Sequence, residues 1–198
     1  MKVSVFGLGY VGAVSCACLP ELGHEVVGVD INALKVELIA SGQSPVVEEG
    51  IEELISAAVK AGKLRATNDV AAAVQGTEVS LISVATPSLP NYMPDLTALD
   101  AVVGQIGAEI AKKDGHHTLV IRSTVAPGTT RARIAPLLEK AADTAYGENR
   151  LAVATQRVKA LKALKRDKDA QKVVADALEQ NGQWFPKQVA QLKAALKS

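Results

Sequence analysis

Three glycines, Gly7, Gly9 and Gly12, stand between a strand-like run, Lys2-Val3-Ser4-Val5-Phe6, and a helical one. This spacing does its chemistry with the main chain. Gly7 permits a tight turn, Gly9 leaves the backbone open to close approach by a pyrophosphate, and Gly12 lets the helix pack closely on the strand. The free N–H groups at the helix start then face the phosphates, and the helix dipole adds to the attraction. Context makes the pattern specific. A second strand-like run, Glu25-Val26-Val27-Gly28-Val29, ends in Asp30, 18 positions after Gly12. An acid about 20 residues on receives the adenosine ribose hydroxyls in a dinucleotide fold. Its charge repels a 2′-phosphate, so these residues predict NAD rather than NADP.

The elements that must position this turn alternate along the chain. The second strand is followed by a helix capped at Asn32 that runs through Ile39, then a loop, then an amphipathic helix over 51–61 with Ile51, Leu54, Ile55 and Ala58 on one face. Leu64–Thr67 reads as a short strand, and Asp69 caps a small helix through Val74. Further strands are expected over 78–85 and 118–122, with helices over 96–111 and 130–142. Pro20 is expected to kink the last turn of the first helix. Strand–helix alternation specifies α/β architecture, a Rossmann-type doubly wound parallel sheet with helices on both faces. Thr86 and Thr124 follow the carboxyl ends of two of these strands, where such sheets bind ligands.

Bulk properties agree. Of 198 residues, 48% are hydrophobic and 3% aromatic, so the core is built of Val, Ile, Leu and Ala, as suits a sheet buried on both faces. The net charge of +1 hides an asymmetry. Residues 1–150 carry 12 basic and 17 acidic side chains, and residues 151–198 carry 10 and 4. Two domains are therefore expected: an NAD-binding domain over 1–150 and a basic, amphipathic helical tail over 151–198. The tail stripes are Val158, Leu161 and Leu164, then Val173, Val174, Ala177 and Leu178 with a cap at Asn181-Gly182, then Val189, Leu192 and Leu196 after Pro186. Leu151–Thr155 is a candidate last sheet strand. Cys16 and Cys18 lie two apart on a helix and point to different sides, so they make neither a metal claw nor a good disulfide. No metal site is expected. The absence of a secretory leader or membrane-length apolar run points to a cytoplasmic protein with no membrane partner. The tail's aromatics are confined to Trp184 and Phe185, and nucleic-acid binding is not expected.

These motifs resemble those of the nucleotide-sugar 6-dehydrogenases, the UDP-glucose and GDP-mannose dehydrogenases. Val5 to Gly12 resembles the family's opening motif, and Gly23 to Asp30 its second strand. Gly42 to Gly50 resembles a family loop ending in Glu-Pro-Gly, with Glu49 in place of proline. Val84-Ala85-Thr86-Pro87 resembles Val-Gly-Thr-Pro, with Ala85 in place of glycine. Arg122 to Thr129, with His117-Thr118 before it, is similar to the GDP-mannose branch. The resemblance implies NAD contacts from Tyr10, Val11, Asp30, Lys35, Thr86 and Thr124, besides the glycines. It also places Thr124 beside the reacting centre as the candidate catalytic residue. The implied activity is oxidation of a sugar C6 alcohol to a carboxylate in two NAD-dependent steps.

The resemblance stops near Leu138. The family continues with a strand and Asn-Pro-Glu-Phe, whose glutamate is catalytic. Here Gln156-Arg157-Val158-Lys159 follows the candidate strand, and the next glutamate is Glu179. No cysteine lies beyond Cys18, so a thiohemiacetal step has no thiolate. The expectation is an NAD-binding domain of oxidoreductase lineage, catalytically incomplete in these residues, with a nucleotide sugar or a second protein chain as further partners. The alternative is a non-catalytic, NAD-responsive binding module acting through its tail.

Overall fold

The structure is a computed structural model and describes residues 1–113, 116–143, 148–163, 165–181 and 186–197. It divides into two compact units. The first comprises Met1–Ile106 and His117–Pro136, the second Gly107–His116 and Leu137–Ser198.

The first unit is built on five parallel strands: β1 (Lys2–Phe6), β2 (Glu25–Val29), β3 (Leu64–Thr67), β4 (Val79–Ile82) and β5 (Thr118–Ile121). Their order in the sheet is β3-β2-β1-β4-β5. The chain steps outward from β1 to β3, returns to β4 on the other side of β1, and ends at β5. Because the direction of winding reverses between β1 and β4, the loops that leave their carboxyl ends part and open a crevice. The register pairs Val3 with Val26 and Val79, and Phe6 with Val29 and Ile82.

The connecting helices are α1 (Tyr10–Glu21), α2 (Ala33–Ala40), α3 (Ile51–Lys60), α4 (Val70–Gln75) and α5 (Thr97–Ile110). Val3, Val5, Leu8, Cys16, Ala17, Val26, Ile39, Ile55 and Leu64 share one buried cluster, each large aliphatic side chain contributing about 1.5–3 kcal/mol by leaving water. Asn32 caps α2 by accepting from the Leu34 amide at 3.0 Å, and Asp69 caps α4 by accepting from Ala72 at 2.9 Å. Polar side chains enter this core only where they are paired. Ser4 Oγ lies 2.8 Å from Ser80 Oγ and 3.1 Å from Thr77 Oγ1, and Ser80 Oγ lies 2.8 Å from His117 Nε2. Unpaired, each hydroxyl would cost about 1–3 kcal/mol.

Pro20 sits inside α1, one residue before its end. The helix passes through Pro20 and ends in a turn at Gly23, whose φ is +85 and whose amide donates to Pro20 O at 3.0 Å. The helix expected over 130–142 begins as a π-helical turn, Thr130–Ile134, and continues as α6 (Ala135–Asp143).

The second unit holds α7 (Glu148–Ala163), α8 (Asp167–Asn181) and α9 (Pro186–Lys197). Ala154, Val158, Ala170, Val174, Leu192 and Ala195 make its core, flanked by Leu161, Val173, Ala177, Leu178, Val189 and Leu196. The strand expected at Leu151–Thr155 is therefore corrected: those residues lie inside α7. Ala154 and Thr155, adjacent in sequence, are buried together with Val158, a spacing of one, three and four that fits one face of a helix and not the alternation of a strand. Leu164 and the Gly182 cap lie outside the described residues.

Candidate functional site

β1 delivers the chain into the glycine turn at the carboxyl edge of the sheet. Gly7 has φ +93, the left-handed region, and its amide donates to Val29 O at 2.8 Å. A Cβ on Gly7 would also lie 3.0 Å from the main chain of Ser83 and Val84. At Gly12 a Cβ would lie 1.7 Å from Gly7 O, so no side chain fits between helix and turn. Gly9 is different: a Cβ there would meet nothing within 4 Å. The turn is packed on its inner side and open on its outer side at Gly9.

Gly9 is the N-cap of α1 and provides no side-chain cap, and the first turn contains no acidic residue. The amides of the first turn have no partner within the helix, so they stand ready for an anion. The space above Gly9 and these amides fit a pyrophosphate.

Asp30 follows β2 and closes the turn from the side. Its Oδ2 accepts from the Leu8 amide at 2.7 Å and its Oδ1 from the Asn32 amide at 2.8 Å. Each carboxylate oxygen retains acceptor capacity for a ribose hydroxyl. Asp30 thus holds the glycine turn in shape, a role that no sequence pattern announces. Lys35, on α2, brings Nζ to 4.0 Å from Asp30 Oδ2, with its side chain 35% exposed. A pair this loose contributes at most about 1 kcal/mol.

Tyr10 and Val11 open α1 and are exposed. The Tyr10 hydroxyl donates to Glu48 Oε2 at 2.5 Å, and this carboxylate bond holds the phenol proton to higher pH than usual. Glu48 is absent from the site residues expected from sequence, because its partner lies 38 positions away along the chain.

Across the crevice, Ser83 Oγ donates to Gly7 O at 3.0 Å, and Ser123 Oγ donates to Val84 O at 2.7 Å. Thr86 Oγ1 donates to Thr124 O at 2.9 Å. The structure therefore brings the expected residues into two groups on the same edge. Gly7, Gly9, Tyr10, Val11 and Gly12 lie with Asp30 and Lys35, and Thr86 lies with Thr124. Ser83 and Ser123 stitch the loops together and escape the sequence reading; their one signal is position, one residue after the end of β4 and two after the end of β5. Cys16 is fully buried, which pushes its thiol up to about 12, and Cys18 is exposed. No helix among the described residues is long and apolar enough to cross a membrane.

A parallel sheet in this order, with a glycine turn at the β1–α1 crossing and an acid at the end of β2, defines a dinucleotide-binding domain. Comparison with known proteins gives the particular family. Residues 1–185 match the UDP-glucose/GDP-mannose dehydrogenase family, NAD binding domain. The GDP-mannose 6-dehydrogenase of Pseudomonas syringae pv. syringae is 49% identical over 139 residues, 70% of this chain and 32% of that protein. The UDP-glucose 6-dehydrogenase of Haloferax volcanii is 37% identical over 148 residues, 75% of this chain and 34% of that one. The ternary-complex structure of GDP-mannose dehydrogenase from Pseudomonas aeruginosa superposes with a TM-score of 0.70 at 46% identity, covering 71% of this chain and 32% of the other. The chain belongs to the UDP-glucose/GDP-mannose dehydrogenase family and carries its NAD-binding domain. It spans about one third of the length of the relatives it matches.

Proposed function

We propose that this chain is the cofactor-holding part of a nucleotide-sugar 6-dehydrogenase whose substrate is GDP-mannose or UDP-glucose. The first-turn amides of α1 receive the pyrophosphate over Gly9. Asp30 accepts the adenosine ribose hydroxyls, with Lys35 beside it. Thr86 and Thr124 line the nicotinamide end, and Thr124 stands next to the reacting carbon. When bound, NAD supplies the hydride acceptor for the two oxidations. Tyr10 and Val11 flank the dinucleotide. The observation that carries this reading is the pairing of an open Gly9 with an Asp30 already bonded to the turn it serves.

The 198 residues contain no match to the family's catalytic glutamate or cysteine, so the proposed turnover draws on residues beyond these. The test is a graft. Residues 1–143 replace the corresponding domain of a GDP-mannose 6-dehydrogenase, and NADH formation is followed with GDP-mannose and then UDP-glucose. NAD-dependent turnover is expected. A folded graft that prefers NADP, or that binds neither cofactor, contradicts the reading.

A second reading draws on the helical unit, whose apolar residues pack among themselves while residues 151–198 carry the basic excess. In it, the chain reports NAD to a second protein through that surface, without catalysis.

A further inference from the structure

Glu48 lies in the segment between α2 and α3, which folds around Ser44. Ser44 Oγ donates to Val46 O at 2.7 Å and accepts from Val46 N at 3.2 Å, while Ser44 N donates to Glu52 Oε2 at 3.4 Å. Pro45 and Val46 are half-buried, but Val47, next to Glu48, is fully exposed, so apolar burial does not hold the Glu48 end of this stretch down. Its tie to α1 is the Tyr10–Glu48 bond.

Tyr10 is the first residue of α1, immediately beside the open Gly9. Its side chain is exposed and otherwise free to sample several rotamers above the helix start. A dinucleotide that contacts this ring must then immobilise it, an ordering cost that weakens binding. The carboxylate removes that freedom in advance. A hydrogen bond to an ionised acceptor is about twice as strong as a neutral one.

We propose that Glu48 is a positioning residue of the cofactor site, acting through Tyr10: it fixes the phenol ring and the 41–50 segment beside the phosphate turn before NAD arrives. The proposal rests on the reading of the Gly7–Gly12 turn as the pyrophosphate site.

NADH affinity is measured by calorimetry for the full chain and for Tyr10→Phe, Glu48→Ala, their double variant and Glu48→Gln, with melting temperatures in parallel. Each of the first two single variants is expected to weaken NADH about 3–10-fold, and the double variant no more than either one, as for partners in a single interaction. Glu48→Gln keeps a carbonyl acceptor for the phenol and is expected to stay within about twofold of the wild type. Unchanged or tighter binding by Glu48→Ala overturns the proposal, even where its melting temperature falls, because the bond then serves loop stability alone. Additive losses in the double variant overturn it as well. A wild-type chain that fails to bind NADH overturns the cofactor reading itself, and is distinguished by that control.

Discussion

Gly9 and Gly12 are three residues apart in one motif, yet the geometry predicts opposite consequences for filling them. Gly9 has φ −74 and ψ −167, ordinary extended backbone, and a Cβ there meets nothing within 4 Å. Gly9→Val therefore introduces no clash in the free protein. Replacing a glycine N-cap by an apolar residue costs about 0.5–1 kcal/mol, partly offset by about 0.4–1 kcal/mol from a less flexible unfolded chain. At about 2–4 °C per kcal/mol for a chain of this size, its melting temperature stays within about 3 °C. Gly12→Ala puts a methyl carbon 1.7 Å from Gly7 O. The two atoms must separate by a further ~1.7 Å to reach ordinary carbon–oxygen contact. Both groups are held by backbone, so the cost sits at the upper end of overpacking, about 3 kcal/mol, and melting falls by about 6–12 °C. Ligand binding separates the variants in the other sense. In Gly9→Val the introduced isopropyl group fills the pyrophosphate's approach and removes at least two charge-assisted hydrogen bonds, about 3 kcal/mol or more, which is over about 100-fold in NADH affinity. Thermal melts and NADH fluorescence titrations on purified proteins test both halves. If Gly9→Val binds NADH like the wild type, the pyrophosphate does not lie at this turn. If it melts as low as Gly12→Ala, the open face assigned to Gly9 is wrong.

Asp30→Ala is expected to weaken NADH and narrow the gap to NADPH, and also to lower the melting temperature, because the Leu8 and Asn32 amides both lose their acceptor; paired titrations and melts check this, and a change in affinity with no loss of stability contradicts the turn-holding role. In the grafted enzyme, Thr124→Val is expected to lower kcat at least about tenfold while Thr124→Ser retains most activity; equal kcat for all three removes Thr124 from the reacting centre. Cys16, buried and pushed up to about 12 from 9.0, is expected to resist iodoacetamide in the native chain while Cys18 reacts, as peptide mass mapping will show. Its folded-state pKa is raised, so its contribution to stability is complete below about pH 9 and declines as the pH rises from about 9 to about 12; melts of Cys16→Ala and wild type across that range check the difference in slope. The purified 198-residue chain itself is expected to give no NADH formation with GDP-mannose or UDP-glucose; turnover in the usual enzymatic range of about 1–1000 per second would reveal catalytic residues beyond Gln156.

The strand–turn–helix–strand unit is legible because each of its parts has a short-range sequence signature. β1 ends at Phe6 before the glycine turn, and Asn32 and Asp69 cap α2 and α4 as their residue types dictate. Boundaries that depend on tertiary pairing are less so. The expected strand over 78–85 is shortened to Val79–Ile82, since the ladders to β1 and β5 both end at Ile82 and the chain then leaves for the crevice. Leu151–Thr155 is a short apolar run compatible with either strand or helix by pattern alone, and packing against α8 and α9 decides for the helix. Within the site, Asp30 is readable from its interval, but its bonds to Leu8 and Asn32 are not. Glu48 is visible only as the glutamate of the loop ending at Gly50, and its bond to Tyr10 leaves no local trace, because the two residues are 38 positions apart. The Thr86–Thr124 contact likewise joins two loops 38 residues apart.

On this reading the chain holds NAD at the Gly7–Gly12 turn and Asp30 rejects a 2′-phosphate. Calorimetric titration of the wild-type chain with NADH and with NADPH tests it most directly. NADH is expected to saturate one site and NADPH to bind at least about tenfold more weakly, a difference of about 1.4 kcal/mol. Equal affinity for the two cofactors, or no heat of binding from NADH, would contradict it.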